Sequence, residues 1–200
     1  MNGYHLQYTI QSLRGSVDAM EFSPSGRFLV VGDGNPARLR VLDRLTRFCP
    51  TMEAEAISQP TSFAFENSST FLVGLDDGRF SKYTIDLRSK RLVIGWTNSG
   101  PRGPSPVTAM ALNKTGQTLA LVAGPNVLVF IRVFENGEAP HRTLVSLLTP
   151  LPAGEFQFAG NMSSYFDFEC GTIKPPLLPT SLCFTSNDQL HVAFQGPHIA

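Results

Sequence analysis

The sequence has 200 residues, and its 16 basic and 16 acidic side chains give a formal net charge of zero, which argues against electrostatic capture of nucleic acid or of an anionic membrane. Charged residues make up 16% of the chain against the usual ~25%, which disfavours an all-helical protein because solvated helices carry charge on their outer faces. The hydrophobic fraction of 42% can fill a core, while 17 glycines and 15 prolines indicate many turns.

An alternating segment at residues 5–13 (HLQYTIQSL) predicts a stray outer strand, and after it one pattern recurs four times: two short apolar strands joined by a polar turn. The copies align without gaps as VDAMEFSPSGRFLVVG, PTSFAFENSSTFLVGL, VTAMALNKTGQTLALV and PTSLCFTSNDQLHVAF. Their anchor residues, Phe22, Phe65, Leu112 and Phe184, are spaced 43, 47 and 72 residues apart. Repetition at this interval predicts a repeat architecture.

The first strand of each copy has a bulky face and a small face. The bulky face carries the anchors and a second large residue, namely Met20, Phe63, Met110 and Leu182. The small face carries Ala19, Ser62, Ala109, Ser181, Ala64, Ala111 and Cys183, with Glu21 as the exception. Because side chains alternate between the faces of a strand, this pattern predicts a strand packed between sheets, with bulk from one sheet filling the space over the small face of its neighbour.

Further strands follow each copy in chain order. Second strands are predicted at residues 28–31, 71–73 and 119–123, third strands at 38–42, 80–85 and 127–133, and fourth strands at 53–58 and 91–96. Gly, Asp, Asn and Pro cluster between the second and third strands, as turns require. Four antiparallel strands in each ~40–45 residues are typical of a β-propeller blade.

The first copy, SVDAMEFSPSGRFLVVGDG followed by RLRVLD, resembles a divergent WD repeat in its SPSG turn and its closing Leu42-Asp43. In the second copy Asp77-Gly78 matches the same family pattern. The resemblance covers most of residues 8–133 and 177–196. It implies an all-β, WD40-like propeller of four-stranded antiparallel blades, with about three full blades and the start of a fourth.

The sequence also departs from the family pattern. Arg14-Gly15 stands where the family often has Gly-His, Leu42 replaces the closing Trp, and the second copy closes weakly with Tyr83-Thr84. The hydrogen-bonded tetrad that locks a typical blade is therefore not carried over.

Residues 1–200 are interpreted as a single WD40-like propeller domain or fragment, with blade starts near residues 17, 60, 107 and 179. The resemblance implies a closed ring, most often of seven blades and about 300 residues, so three explanations compete. The chain is a fragment or truncated product, which is the favoured explanation; it pairs with another copy; or it closes as a compact four-bladed ring that the first strand completes. Open blade edges would favour self-association.

An insertion at residues 135–176 separates the third and fourth copies and predicts a hairpin of EFQF (155–158) and YFDFE (165–169). Its aromatic side chains are candidate partner-binding residues, namely Phe156, Phe158, Tyr165, Phe166 and Phe168. The favoured alternative is that they pack on the third blade as its outer strands.

Motifs for chemistry are weak. GDGNPA at residues 32–37 matches G-x-G-x-x-A, but the alternating RLRVLD that follows predicts a strand where a dinucleotide site needs a helix. The column expected nearest the channel holds Asp18, Thr61, Thr108 and Thr180, which is no metal cage. His191 falls in a strand position held elsewhere by leucines. No catalytic residue, metal or cofactor is predicted.

Two basic clusters stand out, Arg38, Arg40, Arg44 and Arg47 in the first copy and Arg88, Lys90 and Arg91 in the second. Arg38 and Arg40 share a strand face and would suit phosphate or an acidic partner. Solvated charges on outer strands are the favoured alternative.

Cys49, Cys170 and Cys183 cannot all pair and follow no metal-ligand spacing, so an intracellular protein, cytoplasmic or nuclear, is the simpler interpretation. The N-terminus has no secretory pattern, and no apolar stretch spans a bilayer.

The predicted function is that of a non-catalytic, WD-repeat-like scaffold that holds other proteins, since stacked blades use most side chains for mutual burial and leave loops as contact surface. Protein partners, and no membrane or nucleic acid, are expected. The alternatives are a propeller hydrolase with a channel-bound divalent metal, and a degenerate or truncated propeller without independent function.

Overall fold

A computed structural model describes residues 16–33, 36–98, 105–124, 126–131, 145–146 and 178–195. These residues form antiparallel sheets of four, four, four and two strands, ordered β1-β2-β3-β4, β5-β6-β7-β8, β9-β10-β11-β12 and β13-β14. The strands are β1 Val17–Phe22, β2 Phe28–Asp33, β3 Arg38–Asp43, β4 Cys49–Glu55, β5 Pro60–Phe65, β6 Thr70–Leu75, β7 Phe80–Asp86, β8 Arg91–Asn98, β9 Val107–Leu112, β10 Thr118–Ala123, β11 Asn126–Ile131, β12 Val145–Ser146, β13 Leu178–Phe184 and β14 Leu190–Gln195.

The sheets stack in chain order through their first strands: β1 lies against β5, β5 against β9, and β9 against β13. In the second, third and fourth sheets the bulky face packs on the preceding sheet. Phe63 joins Val30 and Val41 of the first sheet in one buried cluster, and Met110 joins Ala64 and Leu72 of the second sheet in another. Leu182 packs with residues of the third sheet in the same way. The predicted match of bulky to small faces is confirmed.

The ungapped alignment of the four copies is wrong: the second strands of the second and fourth copies are shifted by one residue relative to those of the first and third. Phe22 pairs with Leu29 in the first sheet and Leu112 with Leu119 in the third, but Phe65 pairs with Phe71 in the second. The turn of the second copy is therefore one residue shorter, and so is that of the fourth, where Phe184 pairs with Leu190. The positions equivalent to His191 are consequently Val30, Leu72 and Ala120.

Glycines allow close approach between successive sheets at equivalent positions. A Cβ on Gly32 would lie 2.6 Å from Cβ of Pro60, the first residue of β5. A Cβ on Gly74 would lie 2.7 Å from Cγ1 of Val107, the first residue of β9. Strands β5 and β9 thus each begin against a backbone position that has no side chain. The equivalent residue of the third sheet is Val122.

The described sheets form an open stack, which is a part of a propeller and not the compact four-bladed ring considered above. On the bulky face of the first sheet Met20 is 65% exposed and Phe22 is 52% exposed, whereas Phe63 and Met110 are 7% and 8% exposed. At the other end of the stack Ser181, Cys183 and His191 are exposed. Neither end face is sealed by the other.

The fourth strand of the first sheet begins at Cys49 and ends at Glu55, so its prediction at residues 53–58 was displaced toward the C-terminus. The predicted strand at 5–13 and the hairpin at 155–169 lie outside the described residues.

Candidate interaction surfaces

Each first strand carries an irregularity at its second or third residue. The pairing skips Asp18 in β1, Thr61 in β5, Thr108 in β9 and Thr180 in β13. These four residues are the column predicted to lie nearest the channel. A bulge of this kind inserts one unpaired residue and redirects side chains, and it recurs at functional edges of sheets. Asp18, Thr108 and Thr180 are exposed, and Thr61 is half-buried.

The irregularity at Thr61 lets two successive hydroxyls reach one carbonyl of the following sheet. Thr61 Oγ1 donates to the Val107 oxygen at 2.7 Å, and Ser62 Oγ donates to the same oxygen at 2.8 Å. Regular alternation would send these two side chains to opposite faces. The bulge therefore joins the second and third sheets at the edge where their first strands begin.

A second set of hydrogen bonds joins the first and second sheets at the same edge. Gln59, in the loop between β4 and β5, donates from Nε2 to Asp18 Oδ2 at 2.6 Å. Its backbone amide donates to Asp76 Oδ1 at 3.0 Å, and the Asp76 amide donates back to the Gln59 carbonyl at 2.9 Å. Ser58 Oγ also donates to Asp76 Oδ1. This edge, made of residues 16–18, 56–61, 76–79, 105–108 and 178–180, is called the bulge rim below.

Asp77 and Arg79 form an ion pair in the β6–β7 turn of the bulge rim. Burial alone would raise the pKa of the Asp77 carboxyl, but hydrogen bonds from the Arg79 side chain and amide outweigh it and leave this pKa below its usual value. The bulge rim thus presents carboxylates and hydroxyls on a hydrogen-bonded frame.

Arg40 is not solvated, contrary to the favoured interpretation of its cluster. Its side chain is 3% exposed, and its Nε lies 3.1 Å from Oδ1 of the fully buried Asp33. Its Nη1 lies 3.6 Å from Glu53, which also pairs with Arg38 at 3.2 Å. The shared face of Arg38 and Arg40 is confirmed, but carboxylates of the same sheet neutralise it. Five other cations, Arg44, Arg47, Arg88, Lys90 and Arg91, are exposed on two turns.

Among the described residues, no group of three or more His, Cys, Asp or Glu side chains is placed to hold a metal ion. His191 and Cys183 are exposed, and the GDGNPA segment leads into strand β3 as the turn interpretation required.

The aromatic residues proposed as partner-binding, Phe156, Phe158, Tyr165, Phe166 and Phe168, lie outside the described part of the chain. In that described part, no helix is long and apolar enough to cross a membrane.

No protein-family model matches the sequence. A search of curated proteins also finds no match. Among solved structures, the chain is similar to the β-propeller domain of Myceliophteria thermophila Cps50 (Swd1), with a TM-score of 0.56 and 15% identity over 85% of this chain and 47% of that chain. It is also similar to a chain of a mitotic checkpoint complex, with a TM-score of 0.52 and 19% identity over 61% of this chain and 39% of that chain.

The fold is therefore that of a β-propeller, as the resemblance to WD repeats implied, and the chain spans less than half the length of either solved chain. A likeness to Kuenenia stuttgartiensis hydrazine synthase, at a TM-score of 0.48 and 17% identity over 66% of this chain and 36% of that chain, is too weak to bear on function.

Sequence reasoning located the column of Asp18, Thr61, Thr108 and Thr180 but missed that its members are bulged. The available signal was the pair of small or polar residues that opens each copy, as in Thr61-Ser62. It missed the bridge from Gln59 to Asp18 entirely, because that contact joins residues 41 apart in a loop without a pattern.

Proposed function

We propose that the chain is a non-catalytic scaffold that binds other proteins, and that the bulge rim is its main contact surface. The observation that carries the proposal is the repeated bulge. It places a polar residue at the same position of four successive sheets, exposed in three of them, on strands that are fixed by packing between blades. Binding residues on a rigid frame need little ordering when a partner binds.

Two further facts support this surface. The sheets use their strand faces for mutual burial, so contact residues remain at the rims. The mitotic checkpoint complex, by its own name an assembly of proteins, contains a chain of this fold.

The proposal is tested by affinity capture with the 200-residue chain as bait, combined with cross-linking to locate the contact. Thr108→Arg alters the bulge rim, whereas Thr115→Arg makes the same change on an exposed residue of the same sheet at the opposite rim. We expect Thr108→Arg to lose proteins that the wild type and Thr115→Arg both retain. Equal retention by all three baits would refute a contact at the bulge rim.

A further inference from the structure

Two turns at the rim opposite the bulge rim share one construction. The β3–β4 turn begins at Asp43 and the β7–β8 turn begins at Asp86, the last residues of their strands. Asp43 Oδ1 accepts from the Leu45 amide at 2.9 Å, and Asp86 Oδ1 accepts from the Arg88 amide at 2.9 Å. Each aspartate therefore fixes its turn from the first residue.

Each turn also closes in the left-handed conformation, at Arg47 with φ 56° and at Lys90 with φ 53°. Side chains on such turns are presented with little backbone freedom. These two segments, residues 43–49 and 86–91, are called the basic turns below.

The basic turns expose cations and leucines together. Arg44 and Arg47 on the first turn, and Arg88, Lys90 and Arg91 on the second, are all exposed. None of these five forms a salt bridge with a carboxylate of the described residues. The nearby Asp43 is held by Arg27 at 2.9 Å, and Asp86 accepts from Ser89 Oγ at 2.7 Å. Positive charge therefore dominates both turns.

An apolar side chain accompanies the charge in each turn. Leu45 is 74% exposed and Leu87 is 46% exposed. The cations could pair with phosphates or with carboxylates, but a sugar-phosphate backbone offers the exposed leucines no apolar contact. A peptide with both acidic and apolar residues matches the cations and the leucines together.

The two basic turns lie on the same rim of neighbouring sheets. Strands alternate in direction within each sheet, and the first strands of successive sheets begin together at the bulge rim. The turns that follow β3 and β7 are therefore both at the opposite rim. β4 contacts β8, so the outer edges of the sheets are adjacent. Packed sheets lie about 10 Å apart, a distance that about three residues of extended peptide span.

We propose that the basic turns bind an extended acidic segment of a partner protein, with arginines pairing to its carboxylates and Leu45 and Leu87 contacting apolar residues between them. This inference rests on the proposed function in taking a protein as the ligand, but it concerns the opposite rim. It gives the scaffold a second contact surface, with a defined ligand chemistry.

The test measures fluorescence anisotropy of a labelled peptide of about twelve residues, long enough to cross both turns, made of Glu and Asp with two leucines. Arg44→Glu/Arg88→Glu is compared with Lys114→Glu, which reverses an exposed cation on the β9–β10 turn of the same rim. We expect each arginine reversal to weaken binding about threefold and the pair about tenfold, with Lys114→Glu within about twofold. Binding should also weaken as salt rises from about 30 mM to about 150 mM.

Leu45→Ser/Leu87→Ser tests the apolar part. This variant should weaken binding of the leucine-containing peptide and leave binding of an all-acidic peptide unchanged. All substituted residues are exposed, and matched thermal unfolding curves establish that the variants fold.

Several results overturn the inference: equal peptide binding by Arg44→Glu/Arg88→Glu and Lys114→Glu, equal binding of a Gln and Asn version of the peptide, or stronger binding of a thymidine oligonucleotide or of phosphatidylserine vesicles. Thr108→Arg should bind the peptide normally, because it alters the other rim. If the basic turns do not bind the peptide, the proposed capture of proteins at the bulge rim still stands. If the bulge rim captures no protein, peptide binding by the basic turns still stands.

Discussion

Glu21 is the charged member of an otherwise small face. Its equivalents Ala64 and Ala111 leave room for the bulky residues of the next sheet, and Cys183 holds the same position in the fourth sheet. Glu21 lies on the face that the first sheet turns toward the second. The residue stays exposed, but partial loss of solvent on this face raises the pKa of its carboxyl above the ordinary value of 4.5.

Glu21→Gln should stabilise the protein at neutral pH. A raised pKa means that the folded state disfavours the ionised carboxyl, so the cost is full above the folded pKa and is absent below 4.5, the ordinary value. The melting temperature of Glu21→Gln should therefore exceed that of the wild type at about pH 7, and the difference should vanish below about pH 4. Glu55→Gln, on an exposed glutamate of β4, is the control. A difference that persists at low pH would contradict this account.

Gly74 is a position where a side chain cannot be accommodated. An added Cβ would lie 2.7 Å and 2.9 Å from Cγ1 and Cβ of Val107 and would also meet Ser62 Oγ. Val107 is fully buried and belongs to the cluster between the second and third sheets, so it has little room to move. Gly74→Ala should lower the free energy of unfolding by about 1–3 kcal/mol.

Gly95 provides the matched control, because the three atoms nearest to an added Cβ would all belong to Lys82, at ordinary contact distances of 3.6–3.7 Å. We expect Gly95→Ala to change the free energy of unfolding by no more than about 0.5 kcal/mol. Denaturant titration of both variants measures the two values. Equal effects would show that the contact between sheets at Gly74 tolerates a side chain.

At the scale of the strand, position in the stack decides what a residue contributes. Met20 and Met110 occupy the same place in β1 and β9, but Met20 is 65% exposed and Met110 is 8% exposed. Met110→Ala should cost about 2–5 kcal/mol through lost burial and a cavity. Met20→Ala should stay within about 0.5 kcal/mol. Differential scanning calorimetry of both variants, at a concentration low enough to keep the chain monomeric, would check this, and a large loss for Met20→Ala would mean that β1 is covered even in the monomer.

The faces of the first strands were predictable because alternation and bulk are local properties. In β5, for example, the bulk of Phe63 marks the face that packs on the first sheet, and the small Ala64 marks the face that receives the third sheet. The turn after Phe65 was not predictable, since loss of one turn residue leaves the hydrophobic pattern of β6 nearly unchanged: Phe71, Leu72 and Val73 are all apolar. A continuous apolar strand does not reveal its own register.

Charge was the least predictable property of the strands. The sequence RLRVLD alternates, which suggested a solvated face for Arg38 and Arg40. The burial of Arg40 depends on Asp33, which ends β2, and on Glu53, which lies in β4. These ion pairs depend on which strands are adjacent in the sheet. The pattern of residues within β3 alone does not show that adjacency. The bulge rim shows the same limit, because Gln59 meets Asp18 only when the sheets stack.

At the scale of the molecule, the same contact between sheets repeats along the described stack, but the stack does not close into a ring. Each junction places a bulky face on a small face, and the two ends of the described stack retain one of each. The first sheet exposes Met20 and Phe22, and the fourth sheet exposes Ser181 and Cys183. These end faces are complementary in the same sense as the faces that pack inside the chain. A head-to-tail contact between copies would bury them.

We therefore expect the 200-residue chain to self-associate through the exposed bulk of β1. Met20→Glu/Phe22→Glu should lower the association constant about tenfold or more, because it places charge where a dry contact is needed. Val93→Glu/Ile94→Glu is the control, since these side chains are each 47% exposed on the outer strand β8 of the second sheet, which is at neither end of the described stack. Sedimentation velocity over a range of concentrations measures the association. If the control variant dissociates the protein as strongly as the β1 variant, association runs through outer strand edges instead of end faces.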